Sequence, residues 1–369
     1  MEQLSKIRSM IEKKIAAECG RIGYKIPYIA ENGIYRKDMR EENLSWWTNG
    51  FWGGMLWQLY GATGQNIYRE RAEHVESELD WALENFEGLH HDVGFMWQLT
   101  AVADYKVTGN PVSRRRALHA ASLLAGRYNP SGHFIRAWNL DKTGWMIIDC
   151  MMNLSLLYWA SEETTDPRFR QIADRHAETA MRVLMREDGS CSHIAVLNPD
   201  TGELLDTPAG QGYAPGSSWS RGQAWAIYGF ALAYRHSGQK EYLDTAKRAA
   251  HYFIANTAMT GGVPLVDFRA PEDPVIVDTT AGACAACGLL EIEAHVPHLE
   301  KGLYHYHSEK MLDALIKGHC NFNQEEDGIL QDGTAAYHCK EDVEVPIIYG
   351  DYFLTEAILR LSGQALTIW

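Results

Sequence analysis

The sequence has no run of about 18 apolar residues, the length that a helix needs to cross a bilayer, so it predicts no transmembrane segment. Residues 1–16, MEQLSKIRSMIEKKIA, also lack the apolar core and the cleavage site of a secretory signal. They show instead the charged, amphipathic pattern of a helix. From these absences we expect a cytoplasmic protein without a membrane partner.

Cysteine is infrequent, and its spacing forms no disulfide framework. The seven cysteines are odd in number, as expected of reduced thiols in a reducing compartment. Cys284 and Cys287 form a C-x-x-C pair, but one such pair supplies only half of a zinc site. Within AGACAACGLLEI we interpret it as two small residues on a helix face.

Basic residues are outnumbered by acidic ones. The 34 Lys and Arg residues stand against 48 Asp and Glu residues, which gives a formal net charge of -14 at pH 7. This balance disfavours duplex DNA and anionic membranes as partners, because both repel an acidic protein. We therefore expect no nucleic-acid partner, and an anionic ligand would require local positive charge.

What the chain does contain is a repeated pattern. Four segments each run from an apolar, aromatic stretch through a short turn into a charged amphipathic stretch. Their turns fall at Gly64, Gly109, Asp166 and Gly238. The composition, 46% hydrophobic and 22% charged, is typical of a globular protein. The repeat therefore indicates helical hairpins packed around a common core.

The repeat predicts an all-α fold. Two more apolar stretches, 280–294 and 350–361, bring the apolar helices to six. Six charged amphipathic helices are predicted beside them, at 4–19, 67–86, 112–128, 168–185, 241–256 and 304–321. Helices that are apolar nearly all round must be covered, and amphipathic helices can cover them while facing water. We therefore expect residues 1–369 to form one (α/α)6 barrel of six inner and six outer helices.

An open helical solenoid is the alternative architecture for such a repeat. Strand-like pieces such as CSHIAVL and VIV are expected in loops at the mouth of a barrel. The segments that enter the inner helices are rich in polar and aromatic residues, and they lie at 45–52, 90–97, 145–153, 216–225, 277–284 and 347–353. Since the N-termini of parallel inner helices meet at one end of a barrel, that end is the predicted site.

Four aspartates lie at or near these N-termini: Asp92, Asp149, Asp278 and Asp351. A carboxylate at such a position can cap free N–H groups, and we interpret Asp278 as a cap. Apolar neighbours surround Asp149, and such a setting tends to raise a carboxyl pKa toward that of a general acid. Asp92 then completes the pair of carboxylates that glycoside chemistry requires, with capping as its alternative.

The triplet His90-His91-Asp92 raises the question of a metal. It lacks the helical histidine spacing and the cysteine partners of a zinc site. We therefore expect no metal and no cofactor.

Tryptophan is abundant, with 12 residues, and exposed indole faces can stack on sugar rings. The tryptophans near the helix entries are Trp46, Trp47, Trp52, Trp138, Trp219 and Trp225. Those expected to fill the core are Trp57, Trp81 and Trp159.

Three further features suggest ligand contacts. Arg221 begins an inner helix, so its guanidinium is expected to be free to hold a ligand carboxylate, unless it forms a salt bridge to a neighbouring aspartate. His193 is either a hydrogen-bond donor or a loop histidine whose partners are satisfied. Residues 210–216, GQGYAPG, have the glycine content of a loop that approaches a ligand closely.

Six stretches carry a family resemblance: WTNGFW (47–52), HHDVGF (90–95), IIDCMMNL (147–154), GSSWSRGQAWAIYGFAL (216–232), ACGLLEI (286–292) and YGDYFLTEAILRL (349–361). Together they resemble the unsaturated glucuronyl hydrolases, glycoside hydrolase family 88. The resemblance covers nearly the whole chain, and the match over 216–232 is highly specific. One departure is Asn49, where the family is expected to favour aspartate.

The resemblance implies an (α/α)6 barrel that acts on disaccharides or short oligosaccharides left by polysaccharide lyases. These products carry a 4,5-unsaturated uronic acid at the non-reducing end, and the family hydrates its C4=C5 vinyl ether. The resemblance makes Asp149 the general acid and then base, and has Asp92 bind ring hydroxyls. The residues similar to the family's substrate contacts are Trp47, Trp138, His193, Gln211, Trp219, Arg221, Trp225 and Tyr337.

Two other functions remain open at this point. A related unsaturated rhamnogalacturonyl hydrolase would share barrel and chemistry, although the GSSWSRGQAW match favours the glucuronyl family. A non-catalytic sugar-binding protein would need the aromatics and Arg221 but not an apolar-flanked Asp149. Lys340, close to Tyr337 in sequence, is the candidate cation for a sulfated partner sugar, with a solvated surface lysine as its alternative. We expect a monomer or a homodimer.

Overall fold

The structure, a computed structural model, describes residues 2–369 and is built mainly of helices. In chain order the helices are α1 (Glu2–Ile22), α2 (Met39–Glu42), α3 (Asn49–Thr63), α4 (Asn66–Glu78), α5 (Asp80–Asn85), α6 (Val93–Trp97), a π-helical segment (Gln98–Val102), α7 (Ala103–Thr108), α8 (Pro111–Ala125), α9 (Cys150–Thr164), α10 (Pro167–Val183), α11 (Ser220–Ser237), α12 (Lys240–Ala258), α13 (Thr279–His295), α14 (His298–Gly318) and α15 (Ile348–Leu361). No helix among these has the length and apolar content needed to cross a bilayer.

The apolar helices form a closed inner ring. The ring runs from α3 to the unit formed by α6, the π-helical segment and α7, then to α9, α11, α13 and α15, and each member packs against the next. Helix α15 returns to pack against α3. This last contact closes the ring, so the expected (α/α)6 barrel is confirmed and an open solenoid is excluded.

The amphipathic helices cover the ring, each against an inner partner. Helix α4 packs on α3, α8 on α6, α10 on α9, α12 on α11, α14 on α13, and α1 on α15. The segment predicted as one helix over 67–86 is divided at Leu79 into α4 and α5. Trp81, on the short helix α5, is 61% exposed, so the expectation that it fills the core was wrong. Trp57 and Trp159 are buried as expected.

The turns of the repeat lie where the inner helices end. Gly64, Gly109 and Gly238 adopt left-handed backbone conformations directly after α3, α7 and α11, a position that favours glycine. Asp166 accepts a hydrogen bond from the Arg168 N–H and caps α10. The chain therefore reverses at these four points, from inner to outer helix.

Two small antiparallel sheets lie in the connecting loops. Strand β1 (Tyr128–Asn129) pairs with β2 (Phe134–Ile135), and β3 (Trp145–Ile147), β4 (Ile194–Leu197) and β5 (Leu204–Asp206) form the second sheet in that order. Ile147 pairs with Ile194, and the Ile148 N–H donates to the His193 carbonyl over 3.0 Å. The sheet thus brings the segment of His193 beside Asp149, at the start of α9.

Aromatic side chains fill the axis of the barrel. They come from four inner helices and the C-terminal segment, and they are Phe51, Phe95, Trp225, Phe353 and Trp369. Neighbouring ring centroids lie 5.3 Å apart for Phe51–Phe95 and Phe95–Trp225, and the Phe353 and Trp369 rings stack at 6.4 Å. All five rings are buried, so the axis is packed rather than open.

The segment 364–369 crosses the end of the barrel at which the inner helices terminate. The Gln58 side chain accepts from the Leu366 N–H and donates to its carbonyl, at 2.8 and 3.0 Å. Gln98 donates to the Ile368 carbonyl over 2.6 Å, and the Trp369 indole N–H donates to Glu356 over 2.9 Å. These bonds connect α3, the π-helical segment and α15 to the segment, which therefore covers this end.

Candidate active site

The opposite end of the barrel gathers the N-termini of the inner helices. Trp47, just before α3, stacks on Tyr349 at the start of α15, with ring centroids 5.1 Å apart. Asn153 on α9 donates to Asp92, which directly precedes α6. The predicted convergence of the helix entries is therefore present in the structure.

Asp149 directly precedes α9, but its side chain makes no capping hydrogen bond. It is 9% exposed, and its Oδ1 has no hydrogen-bond partner among residues 2–369. The nearest basic atom is Nε2 of His193 at 3.5 Å, too long for a good hydrogen bond. A nearly buried carboxyl oxygen without a bond in the protein is available to a ligand or a proton.

Asp92 also occupies the position before a helix without capping it, so the capping interpretation does not hold. Its Oδ2 lies 3.1 Å from His90 Nδ1 and 3.4 Å from His91 Nε2, and its Oδ1 accepts from Asn153 over 3.1 Å. Burial by itself would raise the pKa of Asp92, but the two histidines and the Asn153 hydrogen bond lower it to about 2. Asp92 is therefore a carboxylate at neutral pH, suited to accept hydrogen bonds from hydroxyls.

The other two aspartates at the helix entries have structural roles. Asp278 accepts from the Thr280 N–H over 3.1 Å and caps α13, as expected. Asp351 is fully buried and accepts from the Ile329 and Leu330 N–H groups, at 3.0 and 2.7 Å. Backbone N–H groups thus occupy the carboxylates of Asp278 and Asp351, whereas the oxygens of Asp92 and Asp149 face the site.

His193 has a defined tautomer. Its Nδ1 accepts a hydrogen bond from the Gln211 N–H over 3.0 Å. An N–H can only donate, so the proton of the neutral ring must be on Nε2, the atom that faces Asp149. Gly210 makes this contact possible, because its φ is +62° and a Cβ there would overlap Nδ1 of His193.

Arg221 is not free to hold a ligand, contrary to the expected open guanidinium. It is 1% exposed, forms an ion pair with Asp278 at 2.8 Å, and donates to the Thr334 and Ala335 carbonyls, both at 2.6 Å. The alternative, a salt bridge to an aspartate, is what the structure contains. Arg221 therefore holds the 334–335 backbone against the cap of α13.

The tryptophans near the helix entries differ in exposure. Trp47 and Trp138 are half-buried and keep part of their ring surface open. Trp219 is buried against His193, with ring centroids 4.5 Å apart. Trp225 is 0% exposed and belongs to the aromatic axis, beneath the site. Surface for a sugar ring is therefore offered mainly by Trp47 and Trp138.

The loop around Tyr337 lies beside the loop of Gln211. The Tyr337 N–H donates to the Gln211 carbonyl over 2.9 Å, and the Gln211 side chain donates to the Ala335 carbonyl over 2.6 Å. The Tyr337 ring meets that of Tyr213 edge to face at 5.0 Å. Lys340 follows in the same loop and is exposed. The structure thus brings Gln211 and Tyr337 together and leaves Lys340 on the surface.

One group among residues 2–369 has the atoms and spacing to hold a cation. His90, His91 and Asp92 each offer a ligand atom, and these atoms lie within 4.8 Å of one another. Burial lowers the pKa of His91 to about 4, so this ring is neutral at pH 7. The contacts of both histidines with Asp92 also account for the cluster without a metal.

Two asparagines complete the site, and their roles were not predicted. Asn49 donates to the Asn43 and Leu44 carbonyls, both at 3.0 Å, which an aspartate at this position would be unable to do. Asn153 contacts Asp92 and the backbone of Asp149. The signal for Asn153 was its place four residues after Asp149, one helical turn along the same face.

Comparison with known proteins places the chain among sugar hydrolases. A model of the Glycosyl Hydrolase Family 88 matches residues 26–263. The unsaturated glucuronyl hydrolase of Bacillus sp. (strain GL1) is 36% identical over 95% of this chain and 94% of its own length. The unsaturated chondroitin disaccharide hydrolase of Streptococcus pneumoniae is 35% identical over 88% of this chain and 83% of its own. The crystal structure of the Bacillus sp. GL1 enzyme superposes with a TM-score of 0.92, at 35% identity, over 99% of this chain and 98% of that one.

Proposed function

Because the chain belongs to glycosyl hydrolase family 88, we propose that it removes a 4,5-unsaturated uronic acid from the non-reducing end of short oligosaccharides produced by polysaccharide lyases. The relatives named for unsaturated glucuronyl and chondroitin disaccharide substrates support this class. The observation that carries the proposal is the pair of uncapped, nearly buried carboxylates Asp92 and Asp149 at one aromatic-lined end of the barrel.

The proposed reaction is hydration of the C4=C5 vinyl ether. Asp149 transfers its proton to C4, and the positive charge that forms at C5 is stabilised by the ring oxygen. The Asp149 carboxylate then takes a proton from a water molecule as its oxygen bonds to C5. The resulting hemiketal opens to a ketone at C5, and the hemiacetal left at C1 collapses to an aldehyde and releases the partner sugar. One water is consumed for each bond cleaved.

Asp92 and His193 are proposed to orient the sugar ring for this proton transfer. Asp92, ionised at neutral pH, accepts hydrogen bonds from ring hydroxyls. His193 presents its Nε2–H toward Asp149 and is proposed to present it toward the sugar ring as well. Trp47 and Trp138 offer their half-exposed faces to the sugars.

Two of the remaining predicted contacts, Gln211 and Trp219, adjoin His193 directly. Gln211 and Tyr337 are proposed to meet the substrate from two loops that are hydrogen-bonded to each other. Trp219 and Trp225 are proposed to support the site from below, because both are buried. Arg221 is proposed to act indirectly, by holding the 334–335 backbone in place.

An assay of several lyase products tests the proposal. Unsaturated disaccharides from chondroitin, hyaluronan, heparin and gellan are incubated with the protein, and the ultraviolet absorbance of the C4=C5 bond is followed. At least one absorbance is expected to fall while one free partner sugar appears per bond lost. A rhamnogalacturonan lyase product is included, and turnover of that substrate alone would identify the related hydrolase instead. Binding of the disaccharides with no loss of absorbance would identify a sugar-binding protein.

We further propose that residues 1–369 are a single catalytic domain that works in the cytoplasm as a monomer or a homodimer, without a nucleic-acid or membrane partner. The ring of inner helices, which uses segments from Asn49 to Leu361, supports one domain. The seven cysteines, all unpaired, support a reducing compartment. The net charge of -14 argues against anionic partners.

A further inference from the structure

Asn153 contacts the carboxylate of Asp92 and the backbone of Asp149, the two acidic residues of the proposed active site. Its Nδ2 donates to Asp92 Oδ1 over 3.1 Å and lies 3.3 Å from the Asp149 carbonyl. Its Oδ1 accepts from the Phe95 N–H over 2.6 Å, at the start of α6. It is completely buried.

The orientation of the Asn153 amide is fixed by its partners. The Phe95 N–H can only donate, so the atom facing it must be the oxygen, and the NH2 group must then face Asp92. Gly94 permits this close approach, since a Cβ there would lie 2.5 Å from Asn153 Cα. The amide therefore presents a donor, and not an acceptor, to the Asp92 carboxylate.

We propose that Asn153 is a positioning residue that keeps Asp92 an ionised hydrogen-bond acceptor and sets its place relative to Asp149. The proposal rests on the function proposed above. A proton on the Asp92 carboxyl would remove an acceptor for the sugar hydroxyls, and the Asn153 donor favours the ionised form together with His91 and His90.

The groups around Asp92 come from several elements. His90 and His91 precede it, Asp149 and Cys150 lie at the start of α9, and Arg127 lies beyond α8. A substitution at Asn153 changes the identity of none of these five residues. A change in the pH dependence can therefore be traced to the group that faces Asp92 Oδ1.

Asn153→Asp is the sharpest variant, because it keeps the shape and the acceptor for Phe95 but places a carboxylate against Asp92. Two carboxylates at this distance share a proton, which raises one pKa strongly. In the pH profile of kcat/KM, we expect the acid limb to move to higher pH by at least about one unit relative to the unsubstituted enzyme. The substrate carboxylate titrates in the same way in both assays, so it does not contribute to the difference between the two pH profiles.

Asn110 provides a matched control at the other end of the barrel. Its Oδ1 likewise accepts from the N–H of Val112 over 3.0 Å, and its Nδ2 donates to the buried carboxylate of Asp104 over 2.9 Å. Asn110→Asp repeats the same chemistry away from the site. Its thermal stability is expected to fall, but its pH profile should match that of the unsubstituted enzyme.

An acid limb that does not move in Asn153→Asp, or that moves equally in Asn110→Asp, would overturn the proposal. If Asn153→Asp does not fold, Asn153→Ala is compared with Asn110→Ala, and equal kcat/KM in these two would also overturn it. An unsubstituted enzyme inactive on every disaccharide would instead refute the proposed function. In that case the Asp92 carboxyl pKa is followed by NMR, and an unchanged pKa in Asn153→Asp would still contradict the inference.

Discussion

The N–H of Gln211 donates to Nδ1 of His193, and this one backbone bond determines which ring nitrogen of His193 faces Asp149. The bond depends on the close passage of the chain at Gly210. Because an alanine Cβ there would overlap Nδ1, we expect Gly210→Ala to displace the imidazole and to lower kcat/KM by about 10-fold or more.

Gly238→Ala is the control for that variant. Gly238 also has a positive φ, +70°, but a Cβ there has open space around it. Both variants should lose about 1 kcal/mol of unfolding free energy because both force alanine into the left-handed region, and Gly210→Ala should lose more because its Cβ also overlaps His193. Similar kinetics in the two would show that the contact between Gln211 and His193 is dispensable.

A second prediction concerns the proposed proton donor. Asp149→Asn keeps the shape of the side chain but cannot deliver a proton, so kcat should fall by at least about 100-fold, followed by the absorbance of the C4=C5 bond. Circular dichroism should show an unchanged fold. Asp166→Asn, which retains a good cap for α10 at the far end of the barrel, should keep full activity. Activity of Asp149→Asn within tenfold of the unsubstituted enzyme would exclude the proton-donor role.

Metal independence is a third prediction. Hydration of a vinyl ether by a carboxylic acid needs no Lewis acid, and the contacts of His90 and His91 with Asp92 already hold that carboxylate in its ionised form. Prolonged incubation with a chelator should leave kcat and KM unchanged. Activity lost on chelation and restored by zinc or calcium would make the triplet a metal site.

The fourth prediction concerns sulfated substrates. Lys340 is exposed in the loop that follows Tyr337, with Glu341 and Asp342 directly after it. If Lys340 holds sulfate, Lys340→Ala raises KM for a sulfated chondroitin disaccharide, leaves the unsulfated one nearly unchanged, and loses its effect at high salt. Lys317→Ala, on the exposed face of α14, is the control. Equal effects on both substrates would leave Lys340 as an ordinary surface charge.

A fifth prediction follows from a buried histidine outside the site. His176 is completely buried and accepts from the Ile135 N–H over 2.8 Å, and burial lowers its pKa from the usual 6.5 to about 3. Below about pH 6.5 the unfolded chain binds a proton that the native state does not, so stability falls with falling pH until the native pKa is reached. The slope is about 1.4 kcal/mol per pH unit.

His176→Gln should remove this slope. Chemical denaturation at pH 7.5 and 5.0 is expected to show a smaller acid loss in the variant, by roughly 2 kcal/mol. His119→Gln, on the exposed face of α8, should behave as the unsubstituted protein does. An acid loss of the same size in all three proteins would mean that His176 is not the group responsible.

The barrel could be predicted because its two kinds of helix differ along their whole length. The inner helices are apolar on every face and the outer ones on a single stripe, and this contrast survives in the sequence. The π-helical segment within the second inner helix had no such signal, since Gln98–Val102 continues the same apolar pattern. The exposure of Trp81 was also not predictable, because the residue type alone does not distinguish a tryptophan at the rim from one in the core.

The site was predictable as a set of residues but not as a set of bonds. Asp149 was singled out by its apolar neighbours, and Asp92 as the second carboxylate of an acid/base pair. The pairing of Arg221 with Asp278 joins residues 57 positions apart, and nothing local to either one specifies it. Asn153 was overlooked for a similar reason, since its partner Asp92 is 61 residues away.

The packed aromatic axis, with segment 364–369 across its far end, makes the proposed site a blind recess. A sugar chain therefore cannot pass Asp149 by threading along the barrel axis. The end of the barrel that admits the substrate also serves as the exit for both products. Both products must leave before the next substrate can enter, so release of the partner sugar is a step at which turnover can be inhibited by accumulated product.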